Sequence, residues 1–326
     1  MIERRARLRL AIVHLVLLLF TACSGAGEVR TRGPSDPTPI DPSRFTIALD
    51  RTPLMSQGHG VLLVGYDVEA IGPDETVEFL RKAVALHREL GAPATFFPTG
   101  LTLETVAASF LAIAGDSAFD VEMHTYTHER LKPLFERTPA GTRFLPAAPV
   151  DVVALSIEKS VAASTRVLGR PPLGLTAPFG AYRGLVDRPD LLALLGDAGV
   201  RFVRSYSRNE SDWQPVAFEV QPFWYALQGH PEMLEIPIQG WQDVLWRETY
   251  GWDDLAGYRR VLDEALDQVA ARNLVWSHCA HDWGSLRGDP ELTLLRHLLD
   301  GARRRGIVLA THRGFYEAAL VSSPAR

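Results

Sequence analysis

The chain reads as an α/β fold, either a parallel β/α barrel or an open doubly wound sheet, and three observations point there. Roughly seven strand–helix units alternate in a single run between residues 45 and 320, the pattern of a sheet with helices packed on its faces. The stretch Gly60–Asp67 is apolar almost throughout, as a parallel strand buried on both faces must be. No linker or internal repeat interrupts residues 45–320, so they form one domain.

The elements follow in order. Phe45–Leu49 is a short strand and Gly60–Asp67 a stronger one. Pro73–Leu90 is a helix: Pro and Asp suit its first turn, Val77, Leu80, Val84 and Leu90 form its inner face, and Gly91 stops it. Ala94–Phe97 is the next strand, and Leu103–Ala114 is helical. Asp151–Leu168 is a long helix ended by Gly169. Leu175–Pro178 is a short strand opening into a glycine-containing loop, Pro189–Ala198 a helix and Val200–Val203 a strand. Then come the strand Leu234–Ile238, the helix Asp254–Ala271, the strand Leu274–Ser277, the helix Pro290–Arg305 and the strand Ile307–Ala310. Residues 205–255 hold five of the seven tryptophans and few strand signals, which suits an inserted substrate-binding loop.

The 326 residues are 46% hydrophobic with a net charge of −5, and the mild acidity gives no sign of nucleic-acid binding. Arginines at positions 4, 5, 7 and 9 precede the apolar run Leu10–Phe20, the layout of a secretory signal and too short for a membrane span. The run ends in Leu19-Phe20-Thr21-Ala22-Cys23, which resembles a bacterial lipobox with Phe20 where Leu is usual. Residues 1–22 are therefore expected to be a lipoprotein signal peptide, with Cys23 lipidated and residues 24–44 a flexible tether. Ordinary signal cleavage is the alternative. That places the protein in the cell envelope, anchored to the membrane on its periplasmic or extracellular face. Cys279 is the one other cysteine and reads as a small buried residue.

Within Val121–His128, His124 and His128 are four apart and share a face on a helix or a strand. The intervening Thr-Tyr-Thr favours an extended segment, on which Glu122, His124, Tyr126 and His128 would point the same way. Two imidazoles and a carboxylate brought from elsewhere suit a catalytic divalent metal such as zinc. At the end of the strongest strand, Asp67 and Glu69 share a face, so one could bind the metal while the other acts as a base. Further strand ends carry Ala177-Pro178-Phe179-Gly180 and Trp276-Ser277-His278-Cys279-Ala280-His281-Asp282-Trp283, with Ser211-Asp212-Trp213 between them.

The order of these pieces resembles the polysaccharide deacetylase family, the NodB-homology or carbohydrate esterase 4-like enzymes, over residues 45–320. The resemblance rests on Asp67, Ala94-Thr95-Phe96-Phe97-Pro98-Thr99-Gly100, His124 with His128, Pro178-Phe179-Gly180, Asp212-Trp213 and Trp276-Ser277-His278. It implies a distorted (β/α)7 barrel whose metal, zinc first among the candidates, is held by an acid and two histidines. Carried over, His124 and His128 are ligands. Asp67-Val68-Glu69 looks like the family's acid-x-acid variant, with Asp67 as base and Glu69 as third ligand. His278 fits the spacing of the catalytic acid, with His281 the alternative acid or a partner of Asp282 in structuring the loop. Pro178, Phe179, Gly180 and Trp213 are expected to bind substrate. One departure is Thr176, which stands where the family carries the arginine that orients the base. Arg204 is a candidate replacement, although a plain surface arginine is the reading its residue type favours.

The implied reaction is removal of N-acetyl groups from an envelope or extracellular glycan, giving acetate and a free amino sugar. The seven tryptophans between 213 and 283 suit stacking on sugar rings, while any single one is expected to be a packing residue. Two other functions stay open. One is hydrolysis of C–N bonds in small cyclic amides; the other is a non-catalytic glycan-binding lipoprotein.

Overall fold

Parallel strands arranged as the staves of a barrel carry the site. The computed structural model describes residues 47–49, 51–70, 72–138 and 141–322, all in the unit Pro39–Arg326. The signal peptide, Cys23 and the tether lie outside the described residues, as does Phe45.

The strands are β1 (Ile47–Ala48), β2 (Val61–Val68), β3 (Ala94–Pro98), β4 (Phe119–Val121), β5 (Leu134–Thr138), β6 (Gly141–Leu145), β7 (Gly174–Tyr182), β8 (Phe202–Arg208), β9 (Phe223–Tyr225), β10 (His230–Glu235), β11 (Val275–His281) and β12 (Val308–Ala310). One sheet runs β11-β2-β3-β4, with β12 also on β2; the other runs β1-β9-β10-β8-β7. The pairs β11·β2, β2·β3, β3·β4, β7·β8 and β8·β10 are parallel, whereas β9 and β1 join antiparallel. A parallel bridge from Met123 to Leu175 joins the two sheets beyond the end of β4. Across the gap between β10 and β11, Gln239 accepts hydrogen bonds from the Ser277 N–H and the Trp276 indole, both at 3.0 Å. The order β11-β2-β3-β4-β7-β8-β10 thus gives the distorted (β/α)7 arrangement, with one seam closed by a side chain rather than by a strand ladder.

Side-chain alternation on β2 separates the two environments. Leu62, Val64, Tyr66 and Val68 face the surrounding helices, while Val61 and Leu63 join Phe97, Phe202, Leu234 and Phe315 in the interior. Continuing that inner row upward gives Gly65, Asp67 and Glu69. The barrel is apolar at its base and polar where the strands end, the end at which β/α folds gather their chemistry.

Several expectations are corrected here. Helix Pro73–Leu90 has the expected limits, but it buries Phe79, Leu80, Ala83, Val84 and His87, and Val77 is exposed. The helix expected at 103–114 is two, Gly100–Thr105 and Ala107–Ala114, broken at Val106. Residues 205–255 are no simple insertion: β8 continues to Arg208, and β9, β10 and the helix Asp243–Tyr250 belong to the barrel. The β5–β6 hairpin and the helices Asp282–Leu286 and His312–Ser322 lacked a legible periodicity.

Candidate active site

The loop after β4 does not stay extended. Thr125 and His128 adopt left-handed backbone conformations, with φ of 57° and 70°. The chain therefore coils, and the four residues expected on one face separate. Glu122 turns away, is fully buried, and accepts from the Leu173 and Gly174 N–H groups and from Arg313. The Tyr126 hydroxyl donates to Glu104 at 2.8 Å. His124 and His128 stay together and meet Glu69. Ser156 and Glu129 hold the coil, since Ser156 accepts from the Tyr126 N–H and donates to Glu129. Strained backbone of this kind concentrates at functional sites.

Glu69 Oε2 lies 3.1 Å from His124 Nε2 and 2.5 Å from His128 Nε2. Burial would raise the Glu69 carboxyl pKa, but hydrogen bonds from His124 and His128 outweigh it and hold the group well below its ordinary value. His124 Nδ1 lies 3.0 Å from the Thr176 carbonyl, which can only accept. Nδ1 therefore carries a proton, and Nε2 faces Glu69. Two imidazole nitrogens and a carboxylate oxygen lie within 4.8 Å of one another, close enough to hold a cation. The His2Glu set, opening on one side into a cleft, matches the three-ligand pattern of catalytic zinc sites. The residues present fit a divalent metal.

Asp67 sits beside this group with different partners. Its Oδ1 accepts from Arg204 Nη1 at 3.0 Å and its Oδ2 from Cys279 Sγ at 3.4 Å. Arg204 is fully buried, so the surface reading is overturned. Its guanidinium also donates to Thr176 Oγ1 and Ser277 Oγ and lies 4.6 Å from the centre of the Phe97 ring. Thr176 and Arg204 are paired across β7 and β8. Arg204 thus reaches Asp67 from the strand beside Thr176. Gly65 makes room for it, because a Cβ there would stand 2.8 Å from the guanidinium.

The two histidines of β11 point to opposite faces. His278 packs outward against Trp276 and Tyr258, and burial pulls its pKa down to about 4. It lines a small internal pocket, not the cleft. The expectation of His278 at the reaction centre is corrected: three residues along a strand reverse the side, so only one of 278 and 281 can face inward. His281 lines the cleft with Asp67 and Glu69. Its Nδ1 lies 2.7 Å from Asp243 Oδ1, and its N–H donates to Asp243 Oδ2 at 3.0 Å. Burial alone would lower the His281 pKa; the charge and hydrogen bond of Asp243 prevail and raise it to about 10. Asp282 rather than His281 orders the loop, accepting from the Glu69 and Ala70 N–H groups and Thr76 Oγ1. Trp283 Nε1 donates to Glu69 Oε1 at 3.3 Å.

The cleft, about 740 Å³, is also lined by Phe179, Gly180, Trp213, Trp252 and Trp283. The Phe179 ring lies 5.0 Å from that of His128. Gly180 cannot carry a side chain, since its Cβ would overlap Ser207 Oγ. Pro178 does not line the cleft. Trp224 and Trp276 belong to the core. Asp212 anchors the hairpin by accepting from the Phe135 N–H at 2.7 Å. Sequence reasoning missed Asp243; its signal was an acid opening a helix shortly after a strand, visible only with the strand in place.

Solved structures share the fold. A Mycobacterium smegmatis protein assigned as a polysaccharide deacetylase aligns with a TM-score of 0.62 at 16% identity, over 86% of this chain and 98% of that one. The allantoinase PuuE aligns at 0.63 and 12%, over 85% and 96%. A Pseudomonas aeruginosa PAO1 protein, also assigned as a polysaccharide deacetylase, aligns at 0.61 and 12%, over 85% and 96%. No curated protein matches the chain in sequence. The polysaccharide deacetylase family matches residues 65–203, which supports a hydrolase of carbon–nitrogen bonds. The stretch of this chain that resembles the polysaccharide deacetylase family model runs from Gly65 to Val203 and includes Asp67, Glu69, His124 and His128.

Proposed function

We propose that this protein is a metal-dependent hydrolase that removes N-acetyl groups from an envelope or extracellular polysaccharide. The observation that carries the reading is the convergence of Glu69, His124 and His128 beside two further groups, Asp67 and His281, in one cleft. Glu69, His124 and His128 would hold the cation, zinc first among the candidates. When bound, it would polarise the amide carbonyl and make water acidic enough to react near neutral pH.

The chain's own residues do the rest. Asp67 accepts the proton of the attacking water, and Arg204 holds that carboxylate in place. His281, which Asp243 keeps protonated, donates to the departing nitrogen. Phe179, Gly180 and Trp213 border the acyl and sugar positions. A second groove, lined by Thr99, Thr102, Thr105 and Thr127, shares Glu69, His128 and Trp283 with the cleft. The reacting centre therefore borders two adjoining grooves rather than one closed pocket. That shape favours a chain of sugars over a small cyclic amide, which an enclosed pocket would hold better.

Acetate release from N-acetylated chitooligosaccharide or peptidoglycan, with and without chelator, tests the reading. Turnover that persists after full metal removal overturns it, and a cyclic amide as the better substrate favours the alternative. For the envelope location, the support is the sequence of residues 1–23. Wild type should fractionate with membranes and Cys23→Ser should be released; a soluble wild type rejects the anchor.

A further inference from the structure

Behind the Asp243–His281 pair, on the side away from the cleft, lies a pocket of about 30 Å³ lined by Asp243, Arg247, Tyr258 and His278. Its volume holds one water molecule, two at most. Its walls combine leucines with polar side chains set among them. Two wall atoms, Arg247 Nε and His278 Nδ1, are buried and have no protein hydrogen-bond partner. Leaving such groups unpaired is costly.

The network assigns their roles. The Tyr258 hydroxyl lies 3.4 Å from the Trp241 carbonyl, which only accepts, and 3.3 Å from His278 Nε2. The hydroxyl therefore donates to the carbonyl and accepts from Nε2–H. That leaves His278 Nδ1 as an acceptor. Arg247 Nε–H is a donor, its Nη1 being engaged by the Gly284 and Arg287 carbonyls at 2.9 and 2.6 Å. Asp243 Oδ1 already takes His281 Nδ1 and the Val244 N–H, both at 2.7 Å, whereas Oδ2 takes the His281 N–H at 3.0 Å and Ser285 Oγ only at 3.5 Å, which leaves Oδ2 room for a further donor.

We propose that a buried water accepts from Arg247 Nε–H and donates to both His278 Nδ1 and Asp243, making His278 a positioning residue for the Asp243–His281 pair. One water satisfies every unpaired wall atom and uses both of its own protons. It ties the rear of the Asp243 carboxylate to the β11 strand, so that the carboxylate presents a fixed oxygen to His281. His278, the residue that misses the cleft, then acts on it from behind.

Crystal structures and steady-state kinetics of wild type, His278→Asn and His278→Phe test this. Asn places an oxygen near the position of Nδ1; Phe fills the space with apolar atoms, and His278→Leu substitutes for it should Phe not fold. Density for the water is expected in wild type and His278→Asn and not in the apolar variants. The apolar variants should lose roughly tenfold in kcat with KM unchanged, in line with other losses of orienting contacts, and Asn should restore it. A dry pocket in wild type, or an apolar variant with wild-type kcat, overturns the proposal. The kinetic arm rests on the deacetylase reading. If no protein turns over acetylated glycan, that reading fails and the density alone decides the water.

Discussion

Two stretches of the chain build the site, and they carry its chemistry differently. Within 65–203, the cluster of Glu69, His124 and His128 beside Asp67 comes from short local patterns: an acid-x-acid at a strand end and two histidines four apart. From 204 to 281, each functional residue is completed by one that only the fold supplies. Arg204 reaches Asp67 across 137 residues, and Asp243 reaches His281 across 38. A local pattern identifies a ligand set because its spacing already implies convergence. A positioning pair has no spacing of its own, so it depends on barrel registry.

The largest effects should fall on the first stretch and divide by role. Asp67→Asn should keep metal and lose about 10²–10⁴-fold in turnover, because the amide cannot accept the water's proton. His128→Ala should lose metal stoichiometry with the barrel intact, and Glu69→Gln should weaken metal affinity so that added metal restores part of the rate. Metal content beside deacetylation rate separates the two outcomes. An active Asp67→Asn would merge the roles of Asp67 and Glu69 and remove the distinction drawn between them.

On the second stretch, His281→Ala should cost on the order of 10²-fold or more, while His278→Asn should stay near wild type. These two variants oppose the inward and outward faces of a single strand. Equal losses would mean that strand alternation does not decide which histidine serves the site.

The strand–helix alternation, the helix limits at 73–90 and the grouping of Glu69, His124 and His128 were legible in the sequence because each is periodic or local. What was not legible has physical reasons. The coil at Thr125–His128 needs left-handed φ values that residue types alone do not announce. Arg204 looked like a surface residue because arginine is rarely buried without a partner, and its partner sits on another strand. His278 matched a spacing while its side depended on where β11 begins. Asp243 lay within residues read as an insertion, since β9 and β10 are short and aromatic-rich without clean alternation.

The Thr176–Arg204 pairing offers a finer test. Removing one partner of a buried ion pair costs roughly 3–5 kcal/mol, so Arg204→Ala should lower Tm as well as rate. The exchange Thr176→Arg with Arg204→Thr moves the guanidinium to the neighbouring strand at the paired position. Part of the lost rate and stability should come back, measured by thermal unfolding and acetate release together. A double variant no better than Arg204→Ala would show that the two rungs are not equivalent and that Gly65 is shaped for Arg204 alone.

The smallest change should be a shift rather than a loss. His281 must be protonated to donate, and Asp243 raises its pKa to about 10, so the acid function is present below that pH and lost above it. Asp243→Asn removes the carboxylate charge while keeping an oxygen toward His281 Nδ1. The His281 pKa should fall, and the basic limb of the kcat profile should move toward neutrality. The opposite sign is expected of no other substitution here: Glu248→Gln, which removes a weaker negative charge near His281, should shift the same limb in the same direction but less. If the basic limb does not move in Asp243→Asn, the proton comes from a group other than His281. The second stretch then contributes structure to the site and not its acid.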